Sequence, residues 1–85
     1  MDRAPTPLDQ RLAAELDHAR DLLVMMGVEL AMSPEIVAEH GMALQAVDIV
    51  GQMIGHIASV VCAADRPDAI ERIGMGDLKA KLSAA

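Results

Sequence analysis

Apolar residues recur along this chain in steps of three and four, the spacing of one face of an α-helix. The first such row predicts a helix of about residues 7–31, which begins at Thr6, a good N-cap, with Pro7 and Asp9 in its first turn. The members of the first row are Leu12, Leu16, Ala19, Leu23, Met26 and Leu30. The charged residues off the row, expected to face water, are Arg11, Glu15, Asp17, Arg20 and Asp21.

A second and longer row predicts a second helix of about residues 34–64. Its steps alternate between four and three over nearly thirty residues, whereas a typical buried strand has four to eight residues. The pattern therefore favours a helix. Ser33 and Pro34 repeat the start signal, which leaves two or three residues for the chain to reverse. The members of the second row are Ile36, His40, Ala43, Val47, Val50, Ile54, Ile57, Val61 and Ala64.

These patterns predict an all-α single domain built on an antiparallel two-helix hairpin. Asp65 to Asp68 end the second helix and begin a helical tail of about residues 67–83. It is expected to hold a short helix from Pro67 to Ile73 that stops at Gly74, a hinge at Met75 and Gly76, and last turns that Asp77 caps. The second helix is apolar well beyond its row, and one partner helix cannot cover so wide an arc. We therefore expect two copies to associate as a homodimeric four-helix bundle.

A stripe of small residues, Gly51, Gly55, Ala58 and Cys62, runs beside the second row. A glycine in a helix costs about 1 kcal/mol relative to alanine, whereas small residues let helices approach closely. We expect the second copy or the tail to cross there; the alternative is that the glycines face solvent. The residues expected at the dimer or packing interface are Ile36, His40, Val47, Val50, Gly51, Ile54, Gly55, Ile57, Ala58 and Val61.

Composition excludes several classes of protein. The 85 residues carry 13 acidic and 7 basic side chains and no aromatic ring. Nucleic-acid binding needs a basic patch and usually stacking rings, and no Lys or Arg falls between Asp21 and Asp65. The longest charge-free run, residues 49–64, is shorter than the roughly 20 residues that span a membrane. With one cysteine and no apolar signal segment at the start, a cytoplasmic location is expected.

Four side chains have chemistry to weigh. Glu15 and His18 have the Glu-x-x-His spacing of ferritin-like di-iron sites, but a solvated helix face is the favoured interpretation. His40 is interpreted as a hydrogen-bonded core histidine; the alternatives are a residue that fixes register or a phosphoacceptor. Cys62, near a helix C-terminus with no base in reach, is expected to be inert.

No catalytic set emerges, which predicts a non-enzymatic protein without a cofactor. The favoured function is that of a small dimeric helical adaptor or regulator, which binds a second copy of itself and another protein. The alternative is a helical bundle that binds a metal or small ligand through Glu15 and His18, or through His40.

Overall fold

The computed structural model describes residues 4–85, and these contain four α-helices. They are α1 (Pro7–Ala31), α2 (Pro34–Val61), α3 (Arg66–Glu71) and α4 (Gly76–Ser83). No β-strand occurs among the described residues. The prediction of an all-α fold with a long helix pair is therefore confirmed.

Side-chain caps begin both long helices. At α1, Asp9 N–H donates to Thr6 Oγ1 and Thr6 N–H donates to the Asp9 carboxylate, both at 3.0 Å, which is a complete capping box. At α2, Ile36 N–H donates to Ser33 Oγ at 3.4 Å. These caps satisfy backbone donors that have no partner inside the helix, so they fix where each helix begins.

The tail is arranged differently from its prediction. α3 begins at Arg66, one residue before the predicted proline, because Asp65 accepts a hydrogen bond from Asp68 N–H and acts as its N-cap. α4 begins at Gly76, and its N-cap residue, Met75, makes no side-chain cap hydrogen bond. Asp77 lies in the first turn of α4 and does not cap it. The tail thus consists of two short helices that begin at other residues than predicted.

The helices form a flat array with α2 in the middle. α1 runs antiparallel along one side of α2, and the tail packs on the other, where Ile49 and Met53 of α2 stand beside Leu78 of α4. The molecule measures 50 × 26 × 15 Å, and its smallest dimension is little more than one helix diameter. Its radius of gyration, 15.2 Å, exceeds the roughly 12 Å of a compact chain of this length. A single chain is therefore one layer, with two broad faces open.

The residues of α1 that pack on α2 lie on a different side of the helix from the first apolar row. Ala13 is buried, whereas its row neighbour Leu12 is 47% exposed. A Cβ added at Gly27 would lie 3.4 Å from Val47 Cγ1 of α2, whereas the adjacent row residue Met26 is exposed. The row therefore lies beside the contact with α2 and only partly within it.

Arg20 was expected to face water and instead lies along α2. Its Cγ is 3.8 Å from where a Cβ would stand at Gly51, and its Cδ is 3.4 Å from the same position at Gly55. Two glycines one turn apart leave room for the arginine stem, while the guanidinium reaches Asp17 and Asp21 at 3.6 and 3.3 Å. This is the usual behaviour of a long basic side chain, whose stem packs while its charge stays in water.

A kink divides α2 near its start. His40 has φ −128° and ψ 28°, outside the helical region. A Cβ added at the next residue, Gly41, would meet open space.

The open end of the hairpin is closed by Arg66. α2 ends at Val61, three residues before the predicted end, and Arg66 Nη2 donates to the Val61 carbonyl oxygen at 3.1 Å. The same nitrogen lies 3.4 Å from Asp9 Oδ1 at the start of α1. One guanidinium thus satisfies a carbonyl at the end of α2 and links the tail to α1.

The core of a single chain is thin. The buried apolar residues in the described part are Ala13, Ala58, Ile73 and Leu78. The accessible surface is 6116 Å², whereas a compact monomer of 9.0 kDa would expose about 4,850 Å². Roughly 1,250 Å² of surface that a globular chain would cover therefore stays open.

Candidate protein interface

The first apolar row lies on one broad face of the hairpin. α1 points Arg20 at α2, and successive helical residues advance by about 100°. Leu12, Ala19 and Met26 therefore lie about a quarter turn to one side of the contact with α2. Among the residues of α1 on that side, from Leu8 to Leu30, Glu15 at the edge is the only charged one.

The second row lies on the same broad face. α2 points Gly51 at α1, and Val50, Ile54 and Val61 lie to one side of that contact. Because α1 and α2 are antiparallel, their two rows turn toward the same side of the layer. We call this surface the apolar face; its members are Leu8, Leu12, Leu16, Ala19, Leu23, Met26 and Leu30 of α1 and Ala43, Val47, Val50, Ile54, Ile57 and Val61 of α2.

The apolar face is open in the single chain. Leu12, Met26 and Val50 are 47%, 45% and 42% exposed. The other large side chains of this face, from Leu16 to Val61, are mostly half-buried between the two helices. A continuous exposed apolar surface of this kind is typical of a site that contacts another protein or a membrane.

The opposite broad face, which we call the grooved face, is polar and uneven. Its residues are Asp21, Val24 and Val28 of α1 and Asp48, Gln52 and Ser59 of α2. Gln52 Nε2 donates to Asp48 Oδ2 at 3.2 Å, and Ser59 Oγ donates to the Gly55 carbonyl oxygen at 3.1 Å. Polar side chains thus interrupt this face, on which Val24 and Val28 are nevertheless exposed.

The residues predicted for the interface fall into three groups in the single chain. Gly51 and Ala58 are buried. Val50 and His40 are exposed. The half-buried members are Ile36, Val47, Ile54, Gly55, Ile57 and Val61.

The helix that crosses the small-residue stripe is α1. Arg20 and Val24 stand over Gly51, so neither the tail nor a second copy occupies that position. The solvent-facing alternative is wrong for Gly51, which is buried. The sequence analysis missed this pairing, although a long side chain opposite two glycines one turn apart is its signal.

The side chains considered for chemistry lie apart. Glu15 and His18 are both exposed on α1, and the described residues hold no group of three His, Cys, Asp or Glu able to share a metal ion. His40 is exposed at the kink, with Nε2 4.0 Å from Glu39 Oε2, and is no core histidine within one chain. Cys62 is half-buried at the C-cap of α2.

Comparison of the chain with protein-family models, with curated proteins and with solved structures finds no match.

By length and composition, α2 is also able to cross a membrane. An 18-residue window within Pro34–Val61 has a mean hydropathy of 1.4, and 11% of that window is buried. A helix this apolar and this poorly covered requires some further surface to pack against.

Proposed function

We propose that this chain is a non-enzymatic, homodimeric interaction module, in which two copies stack through their apolar faces as a four-helix bundle. One observation carries the proposal: both apolar rows lie on the same open face of a layer one helix thick. Stacking two such layers gives each row a partner row, which is how four-helix bundles bury their cores.

The area supports a second copy. About 1,250 Å² of excess surface per chain, spread over the whole elongated molecule, exceeds the roughly 800 Å² that each partner buries in a standard interface, so a dimer contact of that size can be accommodated. A single chain buries too few apolar side chains to be stable alone, because domains of this size are marginal even when compact. Folding and dimerisation are thus expected to be one event.

Charge favours a second copy over a membrane as the cover of α2. Helices that lie on membranes combine Lys and Arg with Trp, Phe or Leu, and this chain has net charge −6 and no aromatic residue. No Lys or Arg lies in the described part of the apolar face. Anionic lipid would repel the acidic hairpin, so we propose a dimer in the cytoplasm.

A matched pair of variants tests the proposal. Val50→Lys places a charge on the apolar face, and Gln52→Lys places the same charge two residues away on the grooved face. Gln52→Lys also sets a lysine one turn after Asp48, a favourable pair. Sedimentation velocity and circular dichroism of both variants are the measurements.

We expect Val50→Lys to be monomeric or unfolded and Gln52→Lys to remain dimeric and helical. A dimeric, fully stable Val50→Lys would contradict the proposal. Co-sedimentation of the wild type with vesicles of neutral phosphatidylcholine separates the membrane hypothesis, since binding there, without a dimer in solution, would make lipid the cover of α2.

A further inference from the structure

We infer that the tail, which consists of α3 and α4, is a strap over the outer edge of α2, and that Arg66 is its latch. The outer edge is the side of α2 that faces away from α1 and includes Ile49 and Met53. The consequence is that the tail and the first turn of α1 open together, although they lie at opposite ends of the chain. All of these contacts lie within one chain, so the inference does not depend on the dimer.

The tail covers apolar side chains on the outer edge of α2. Leu78 of α4 is 7% exposed and lines a cavity of about 400 Å³ together with Ile49 and Met53. Ile73, which follows α3, is 5% exposed, so the tail supplies two of the four buried apolar residues in the described part. Ile49 remains 48% exposed even beside α4. An open tail would therefore leave a further apolar surface of α2 in contact with water.

Arg66 makes the ion pair that joins the tail to the hairpin in residues 4–85. Its Nη2 lies 3.4 Å from Asp9 Oδ1 and donates to the Val61 carbonyl oxygen at 3.1 Å. Loss of Arg66 would remove this link and leave the ion pairs inside the tail intact. Those pairs, in the same part of the chain, are Arg72 with Asp68 and Lys79 with Glu71.

The pair between Arg66 and Asp9 is more enclosed than the other ion pairs. The Asp9 side chain is 13% exposed, whereas the carboxylates of the other ion pairs in the described part are 48% to 76% exposed. Exposed pairs contribute little because water and salt screen them, and a covered charge-assisted hydrogen bond is screened less. Losing the Arg66 guanidinium should therefore cost more than losing the partner of an exposed carboxylate.

Asp9 connects the latch to the start of α1. Its Oδ1 faces Arg66, and its Oδ2 accepts a hydrogen bond from Thr6 N–H at 3.0 Å as part of the capping box. The two oxygens of one carboxylate therefore hold the tail and the helix cap at the same time. Because one side-chain orientation serves both contacts, a change in either shifts the other, and such a coupling acts equally in both directions.

Amide hydrogen exchange of the unmodified protein, followed by NMR at increasing urea, gives the first test. The probes are Gln10 N–H, which donates to the Thr6 carbonyl oxygen at 3.0 Å, and Lys79 N–H, which donates to the Met75 carbonyl oxygen at 2.9 Å. We expect these amides of α1 and α4 to open as one unit, with the same dependence on urea, before Gly51 in the middle of α2. Separate openings, or opening only together with Gly51, would overturn the inference.

Two arginines of the tail give a matched pair of variants. Arg66→Ala removes the latch, whereas Arg72→Ala removes the same charge from an ion pair inside the tail. We expect Arg66→Ala to raise the exchange rates of Gln10 and Lys79 by about tenfold or more, the effect of losing one charge-assisted hydrogen bond, and Arg72→Ala by less than about twofold. Equal effects of the two variants, or a rise confined to the tail, would contradict the coupling.

The reverse direction is tested from α1. Asp9→Asn removes the carboxylate charge but keeps an oxygen that can accept from Thr6 N–H, and Asp21→Asn removes the same charge elsewhere on α1. We expect the exchange rate of Lys79 to rise about fivefold or more in Asp9→Asn and less than about twofold in Asp21→Asn. An unchanged Lys79 in Asp9→Asn would contradict the latch. If Arg66→Ala does not fold, the unmodified protein and Asp9→Asn decide.

Discussion

The two broad faces of this hairpin expose apolar side chains to a similar degree yet differ in what surrounds them. Leu12 and Val50 on the apolar face are 47% and 42% exposed, and Val24 on the grooved face is 49% exposed. Around Leu12 and Val50 the neighbours are also apolar and the surface is continuous. Around Val24 stand Asp21 and Asp48, and the space left by Gly51 and Gly55 is occupied by the Arg20 side chain. Continuity of the apolar patch, more than the exposure of one residue, therefore distinguishes the apolar face from the grooved face.

Gly51 sits where the two faces meet, so its enlargement should have the largest effect. Gly51→Leu must displace Arg20 or Val24, which lie 3.8 and 3.9 Å from its Cβ position, and we expect a loss of about 3 kcal/mol in the free energy of unfolding. Those distances are ordinary contacts for a single methyl group, so Gly51→Ala should keep or raise stability through helix propensity. Urea unfolding of both variants is the measurement, and a stabilised Gly51→Leu would show that α1 does not pack there.

Two adjacent methionines compare the apolar face with the outer edge of α1. Met26 belongs to the apolar face, and Met25 points away from α2; they are 45% and 67% exposed in the single chain. If a second copy covers the apolar face, Met26→Ala should cost about 2 kcal/mol or more, and Met25→Ala less than about 0.5 kcal/mol. Thermal unfolding at several protein concentrations gives both values. Equal, small losses would break the distinction between these two surfaces.

Substitution of His40, at the kinked end of the hairpin, should have a smaller effect on stability. Its side chain is exposed and makes no close hydrogen bond to the protein beyond the 4.0 Å approach to Glu39, so His40→Leu should leave stability within about 0.5 kcal/mol or raise it. Sedimentation of the same variant checks register, because a polar residue that sets the assembly would yield a new oligomeric state when removed. Failure of the variant to fold would contradict the exposed placement.

Metal removal should have no effect at all. Glu15 and His18 lie exposed on α1, and no third ligand joins them in residues 4–85. Dialysis against EDTA is expected to leave the helical circular dichroism and the Tm unchanged, with zinc or iron re-addition as the control. A large drop in Tm would favour the metal-binding alternative.

The sequence predicts the helix pair well because its signals are local. Thr6 and Ser33 are read directly as caps, and periodicity over almost thirty residues distinguishes a helix from a strand. The end of α2 at Val61 is less predictable, because helical periodicity does not indicate the hydrogen bond that its carbonyl accepts from the Arg66 guanidinium in the tail.

The orientation of each helix is harder to predict, since a heptad row does not say which partner it meets. The first row does not form the contact with α2, which the small residues Ala13 and Gly27 and the stem of Arg20 make instead. Small residues allow the backbones of α1 and α2 to approach closely, so they form the contact within the chain. The larger side chains of the row then lie beside that contact.

The central claim is that the apolar face joins two chains, and sedimentation equilibrium of the unmodified protein tests it most directly. From about 1 to 100 µM we predict a single species of about 18 kDa, twice the 9.0 kDa chain, whose Tm rises with concentration. A helical, cooperatively unfolding species of 9.0 kDa throughout that range, with a Tm independent of concentration, would contradict the account.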